Sequence, residues 1–214
     1  MAHFKNRIEA GKKLAKELGN YKDEIHAIVL GLPRGGVPVA YEVAESLHLP
    51  LDVFLVRKLG VPGQPELAMG AIASGGVRVL NDRVIRRAGI SEGQIEKTVQ
   101  KEKEKLQKRE EAYRGSRREI KIKGKTVLLI DDGLATGASM RAAISALRDL
   151  NPKKIVVAVP TAPPDTCQEI KSEVDQVVCL ETPTPFWGVG GSYQNFSQTS
   201  NKDVRQLLDQ AQTI

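Results

Sequence analysis

The chain has 214 residues, 27% of them charged and 41% apolar, with a formal net charge of +6 and a pI near 9.3. That length suits one α/β domain with an embellishment better than two full domains, and no run of residues is long and apolar enough to span a membrane. Two cysteines, Cys167 and Cys179, do not make a disulfide framework; Cys179 lies in a strand-like run and reads as a buried thiol. The polar, charged stretch Met1–Lys13 does not read as a signal peptide, so the expected compartment is cytoplasmic.

Residues His3–Leu18 predict an amphipathic helix, with Phe4, Ile8, Leu14, Ala15 and Leu18 at helical spacing and Gly19-Asn20 ending it. Ile25–Gly31 (IHAIVLG) predicts the first buried strand. Leu32-Pro33-Arg34-Gly35-Gly36 follows, then the apolar helix Val37–Leu47. A strand, a glycine turn and a helix form a candidate anion cradle, because the first N–H groups of a helix lack internal partners and the helix dipole is positive there. Gly35 and Gly36 permit close backbone approach, and Arg34 is a permanent cation beside them.

Leu51–Val56 (LDVFLV) predicts the second strand, with Arg57 and Lys58 at its C-terminal end, where ligands collect in parallel sheets. Gly60–Glu66 reads as a mobile loop of the kind that acts as a lid, and Leu67–Ala73 as a returning strand. Glu66 is the only ionisable residue between Lys58 and Arg78. Val77–Leu80 predicts a short strand and Asn81-Asp82 a turn. From Ser91, a possible cap, to about Tyr113 the sequence is helical and highly charged. It carries a thin apolar stripe of Ile95, Val99, Leu106 and Tyr113, interrupted by Glu102 and Arg109. Such a helix would span roughly 35 Å. It reads as an insertion arm that packs or dimerises by its stripe; an RNA-contacting arm is the competing reading. Arg114, Arg117 and Arg118 add positive charge at its end.

Thr126–Arg141 reads TVLLIDDGLATGASMR. Thr126–Ile130 predicts a strand buried on both faces. Asp131 and Asp132 stand at its end, and the small or hydroxylated residues Gly133, Ala135, Thr136, Gly137, Ala138 and Ser139 lead into a helix over Met140–Leu150. The small residues let an anion reach the backbone, and Thr136 and Ser139 add hydroxyls. The two carboxylates would repel a phosphate, so they face another part of the ligand. A ligand with a phosphate at one end and hydroxyls or a bound cation at the other suits both features. Further strands are predicted at Lys154–Pro160 and Asp175–Leu180, with a short helix at Pro163–Ser172 between them. The alternation predicts an α/β fold, a Rossmann-like, mostly parallel sheet with helices on both faces. The tail, Glu181–Ile214, gathers four of the nine aromatics, Phe186, Trp187, Tyr193 and Phe196, and ends in a helix over Asp203–Leu208.

The central stretch resembles the signature of the type I phosphoribosyltransferases, and the run RGGVPVA looks like the bacterial purine enzymes of that family. Two positions depart from the pattern: Gly133 stands where the family usually has an aliphatic residue, and Ala135 where it usually has a hydroxyl. The resemblance covers about residues 25–75 and 125–180 well. It implies a single domain over 1–214, with a helical insertion at 83–118 and a C-terminal hood at 181–214. It implies transfer of the 5-phosphoribosyl group from 5-phosphoribosyl 1-diphosphate to a nucleobase or similar nitrogen acceptor, with Mg²⁺ held mainly through the substrate. Asp131 and Asp132 would face the ribose as the catalytic pair. Ala135, Thr136, Gly137, Ala138 and Ser139 would hold the 5-phosphate, and Arg34, Gly35, Gly36, Arg57 and Lys58 the diphosphate. Phe186, Trp187 and Tyr193 of the hood would hold the base by stacking. The orotate enzymes carry basic residues in the lid, and this sequence does not. A homodimer is expected, and no membrane partner.

The alternative is a regulator that senses phosphoribosyl diphosphate and binds nucleic acid, to which the basic pI and the charged arm are suited; a scaffold with a vestigial site is a third reading. A polyphosphate substrate uses a handful of cations in one pocket, whereas nucleic acid needs a broad patch. The arm interleaves acids with bases, which weakens a continuous phosphate track and argues against nucleic acid.

Overall fold

The computed structural model describes residues 3–115 and 121–211; Arg117 and Arg118 lie outside them. Five parallel strands form the main sheet: β1 (Ala27–Gly31), β2 (Leu51–Val53), β6 (Thr126–Ile130), β7 (Lys154–Thr161) and β8 (Gln176–Glu181), in the order β2-β1-β6-β7-β8. The continuous apolar runs are explained by burial on both sides. Along β1 and β6, Val29, Leu128 and Ile130 enter one core with helices α1 (Arg7–Glu17), α2 (Gly36–Leu47) and α7 (Asn201–Ala211). Ile28, Leu30, Val127 and Leu129 enter the other, with α5 (Ala138–Asp149) and α6 (Pro164–Lys171). This is the α/β sheet covered on both faces that the alternation of elements predicts.

A second, antiparallel sheet departs from expectation. The run LDVFLV is not one strand. It leaves the parallel sheet after Val53, and at Val56 it starts a hairpin of β3 (Val56–Val61) and β4 (Gln64–Ala73), joined by β5 (Val77–Leu80) in the order β3-β4-β5. The switch is fixed by two hydrogen bonds. The Leu55 N–H donates to Ser74 Oγ at 3.0 Å, and the Ser74 N–H to the Leu55 carbonyl at 2.9 Å. Gly60–Glu66, expected as a mobile loop, is the hairpin's far end, anchored by the fully buried Leu59 and Met69. Arg57 and Lys58 therefore lie within β3 and not at the end of a parallel strand.

Asn81-Asp82 is a helix start and not only a turn: Asn81 caps α3 (Asp82–Ala88) by accepting from the Val84 N–H. Helix α4 (Glu92–Arg114) is closed at its start by a reciprocal capping box of Ser91 and Gln94. It packs by its stripe across β3, β4 and α7. At its end Arg114, 9% exposed, donates to Asp52 at 3.0 Å and to the Val53 carbonyl at 2.9 Å, tying α4 to the end of β2.

The tail folds back over the edge of β8. The His3 and Phe4 N–H groups donate to the Ser192 carbonyl at 2.9 and 3.0 Å, and Phe4 and Tyr193 pack together with Ala10. Cys179 is not a free thiol. The packing of α6 on β8 brings Cys167 opposite it, their Cα atoms 6.9 Å apart, and the two form a disulfide. No described helix is long and apolar enough to cross a membrane.

Candidate active site

β1 and β6 run side by side, with Gly31 opposite Ile130, so their two following turns meet at one edge of the sheet. The meeting is close. A Cβ on Gly36 would lie 2.8 Å from both the Asp131 Cα and the Ile130 carbonyl, and a Cβ on Gly35 would lie 2.0 Å from Asp132 Oδ2. The two glycines are thus needed where one turn packs on the acidic pair. Gly133 has the same cause: a Cβ there would strike Val189 at 2.6 Å and Thr161 at 2.9 Å, so the tail and β7 fill the space an aliphatic residue would occupy.

The turn before α5 is exposed from Ala135 to Thr136 and again at Ala138 and Ser139. Gly137 caps the helix in the left-handed region, with φ 71°. Thr166 Oγ1 donates to the Ala135 carbonyl at 3.0 Å, and Arg141 donates to the Thr136 carbonyl at 2.6 Å while pairing with Glu169 at 3.1 Å. These bonds hold the turn from its carbonyl side; the Ala138 N–H turns back to Thr136 Oγ1 at 3.4 Å, while the Ser139 N–H donates to no described residue and stands as an orphan donor of the helix start.

The acidic pair opens in two directions. Asp131 faces a cavity of about 130 Å³ that is also lined by Pro33, Arg57, Arg109 and Ser139. Asp132 faces a second cavity, of about 350 Å³, with Arg7, Arg34, Gly35, Phe196, Gln198 and Thr199. Burial, and then the negative charge of Asp132, push the Asp131 carboxyl well above its ordinary range, against the backbone N–H of Asp132, which donates to Asp131 Oδ1 at 2.8 Å. Asp132 is held by Arg7. The Nε and Nη2 atoms of that side chain lie 2.8 and 2.7 Å from Oδ2, its Nη1 donates to the Ser197 carbonyl at 2.7 Å, and its guanidinium carbon lies 3.9 Å from the Phe196 ring centre. Tyr193 donates its hydroxyl to the Asp132 carbonyl at 2.6 Å. Burial and the charge of Asp132 push that phenol up, so it stays a donor.

Of the expected site residues, Asp131, Asp132, Arg34, Gly35, Gly36, Arg57 and the 135–139 turn gather at this edge. Lys58 does not line either cavity; it pairs with Glu66 at 3.2 Å in a groove between the hairpin and α4. Arg57 is gripped by Glu102 at 2.6 Å. Trp187, 84% exposed, lines a separate cleft of about 330 Å³ with His3, Pro183 and Ser192, and the half-buried Phe186 lines neither carboxylate cavity. Tyr193 is buried between Phe4 and Phe196, a strut and not an open stacking face. Sequence reasoning missed Arg7, Glu102, Arg109 and Phe196 as site residues. Only Glu102 and Arg109 left a signal, as charges interrupting an apolar stripe.

This architecture, a parallel α/β sheet whose central strands end in a carboxylate pair between a glycine turn and a small-residue turn, is the type I phosphoribosyltransferase fold. The chain belongs to the phosphoribosyl transferase family: the sequence model of the phosphoribosyl transferase domain matches residues 2–195. Two Mycobacterium tuberculosis strains carry proteins whose names include the term phosphoribosyl transferase. Each is 47% identical over 211 residues, which cover 99% of this chain and 47% of the relative. The chain thus spans about half the length of those relatives. A Chloroflexus aurantiacus protein named bifunctional protein PyrR is 34% identical over 145 residues, covering 66% of this chain and 72% of its own. The crystal structure of TT1426 from Thermus thermophilus superposes with a TM-score of 0.86 at 42% identity, covering 97% of this chain and 98% of that one.

Proposed function

We propose that this chain transfers the 5-phosphoribosyl group from 5-phosphoribosyl 1-diphosphate to a ring nitrogen of a nucleobase-like acceptor. The observation that carries the reading is the division of the acidic pair between two cavities, with an anion cradle beside one and arginines on both. Family membership supports the transferase class.

The 5-phosphate sits on the Ser139 N–H and the hydroxyls of Thr136 and Ser139, and draws the Ala138 N–H from its long 3.4 Å contact with Thr136 Oγ1. Asp131 and Asp132 accept hydrogen bonds from the ribose hydroxyls. In the reaction the bond from ribose C1 to the diphosphate oxygen breaks, and the diphosphate leaves with the electron pair. The acceptor nitrogen bonds to C1 and its proton passes to solvent. As C1 gains positive charge, the carboxylates stabilise it from fixed positions, the form of electrostatic help that contributes most in such sites. Arg34, Arg57 and the Gly35 backbone hold the leaving diphosphate; the Gly36 N–H already donates to the Leu32 carbonyl at 3.1 Å, and that glycine serves the close packing on Asp131. Phe196, with the Arg7 guanidinium stacked on it, forms the acceptor's wall in place of Phe186 and Trp187.

The donors fit a magnesium ion carried by the substrate. Among the described residues no three His, Cys, Asp or Glu side chains converge to cage a metal. Mg²⁺ keeps several waters and is satisfied by one or two carboxylates plus substrate phosphates. Asp131, which has no ion-pair partner among the described residues, would be the residue to meet it, and the ion would supply charge neutralisation on the departing diphosphate.

The test is diphosphate release from phosphoribosyl diphosphate and Mg²⁺, screened across purine and pyrimidine bases, with Asp131→Asn/Asp132→Asn alongside. Release with one base, lost by at least ~1,000-fold in the double variant, is the expected result. Full activity in that variant overturns the assignment of the pair. Binding of phosphoribosyl diphosphate without release for any acceptor overturns the transferase reading.

A further inference from the structure

Helix α4 lies outside the two stretches, 25–75 and 125–180, that carry the family resemblance, and it reaches into the site. Ile95, Val99, Glu102, Leu106, Arg109 and Tyr113 are spaced alternately by four and three, the spacing of a helix seam packed against a core, and Arg109 is the exposed member of the series. Ile95, Leu106 and Tyr113 are buried there. A charge in such a seam is costly unless something uses it. Glu102 is used. It lies 2.6 Å from both Arg57 and Lys105, and it holds Arg57 at the cavity that Asp131 and Ser139 line. Partial burial works to raise the Glu102 carboxyl, but hydrogen bonds and charge from Lys105 and Arg57 outweigh it and leave it below its ordinary range.

Arg109 lies seven residues further along the same seam, lining that same cavity. It makes no hydrogen bond or ion pair with any described residue, so its charge is open to a ligand. The hairpin offers no replacement, since no Lys, Arg or His stands between Lys58 and Arg78, and Lys58 is turned to Glu66.

We infer that Arg109 is an anion-binding residue of the active site: α4 delivers it beside Arg57 to grip a phosphate group of the phosphoribosyl diphosphate. The inference rests on the phosphoribosyl-transfer reading and adds to it the source of the second cation. The helix thereby does what a basic lid does elsewhere, from a rigid element and without closing.

The experiment is calorimetric titration of the full chain with phosphoribosyl diphosphate plus Mg²⁺, and separately with inorganic diphosphate, for the wild type, Arg109→Gln, Arg109→Lys and Lys108→Gln. Lys108 is exposed, adjacent, and absent from the cavity wall, so it carries the same change in net charge with no role in the site. The expected result is at least a tenfold weaker Kd for both ligands in Arg109→Gln, partial recovery in Arg109→Lys, and less than a twofold change in Lys108→Gln. Thermal melting should be unchanged throughout, because Arg109 makes no hydrogen bond or ion pair with a described residue. If the wild type binds and Arg109→Gln binds as tightly, or Lys108→Gln weakens binding equally, the inference fails while the phosphoribosyl-transfer reading stands. If the wild type binds neither ligand, that reading fails and the inference with it.

Discussion

Alanine at position 35 tests the packing of the two turns without touching a charged group. Gly35 has φ −63° and ψ −33°, a conformation that alanine adopts freely, so the substitution acts only through space. The new Cβ would lie 2.0 Å from Asp132 Oδ2 and 2.6 Å from its Cγ, where contacts below 3.0 Å force a shift. The carboxylate must retreat by about 1 Å or the turn must open by as much. Retreat is resisted by Arg7, which holds the same oxygen at 2.8 and 2.7 Å with side chains only 11% and 13% exposed. Removing one partner of a buried pair costs about 3–5 kcal/mol. Here both partners survive and some solvent reaches them, which reduces the cost to about 2 kcal/mol. In a chain of this size that lowers Tm by about 4–8 °C. The assay is thermal or urea unfolding of Gly35→Ala in two backgrounds, wild type and Asp132→Ala. With the carboxylate gone the clash goes too, so Gly35→Ala should cost less than ~0.5 kcal/mol in the second background. An equal cost in both would refute the proposed collision.

Asp131→Asn should stabilise the unliganded protein while abolishing turnover. Its folded pKa is raised above the ordinary value of 3.8, so the native state holds a proton that the unfolded state has lost, and stability falls as pH rises through that window. The variant should melt higher than wild type at pH 7 and converge with it near pH 4; a lower Tm at pH 7 would contradict the cause given for the shift. The same sign makes the affinity for Mg²⁺ and phosphoribosyl diphosphate fall in wild type as pH is lowered, because protonated Asp131 cannot meet a cation, and titration at pH 5 and 8 checks it. Glu102→Gln frees Arg57 from its ion pair: KM for phosphoribosyl diphosphate should change several-fold, with kcat within about twofold, if Glu102 acts through Arg57's position and not in the chemistry. Arg141→Ala removes the bond to the Thr136 carbonyl and should raise the same KM by about tenfold while costing about 0.5 kcal/mol of stability or less, since the Arg141–Glu169 pair is exposed.

The parts legible in the sequence are those whose signals are local. A buried strand, a glycine or small-residue turn and a helix follow one another within a few residues at Ile28–Val37 and at Val127–Met140. There the chain needs no distant partner to declare its geometry. The run LDVFLV was opaque for a physical reason: a continuous apolar strand carries no mark at which it changes sheets, and the change is fixed by Ser74, nearly twenty residues away. Cys167 and Cys179 are equally silent, because only the docking of α6 on β8 brings them together. Arg7 belongs to a helix whose pattern speaks of packing alone, and its place over Asp132 depends on the tail returning to the N-terminus. Composition singles out Trp187 in the aromatic tail for its ring, whereas it is Phe196 that lines the cavity of Asp132.

The charges of the site sort by whether they already have partners. Asp132 is neutralised by Arg7, and Arg57 by Glu102, each pair at 2.6–2.8 Å. These pairs hold the groups in place and reduce the bare charge at the half-buried centre of the site. Three charges have no ion pair among the described residues: Asp131, Arg34 and Arg109. They stand on three different elements around the meeting point of the two turns, one acid between two bases. A ligand that satisfies all three must be anionic at two places and must bring a cation or hydroxyl donors between them. A simple phosphate meets one requirement and a free nucleobase none, whereas a phosphorylated sugar diphosphate with its magnesium ion meets all three.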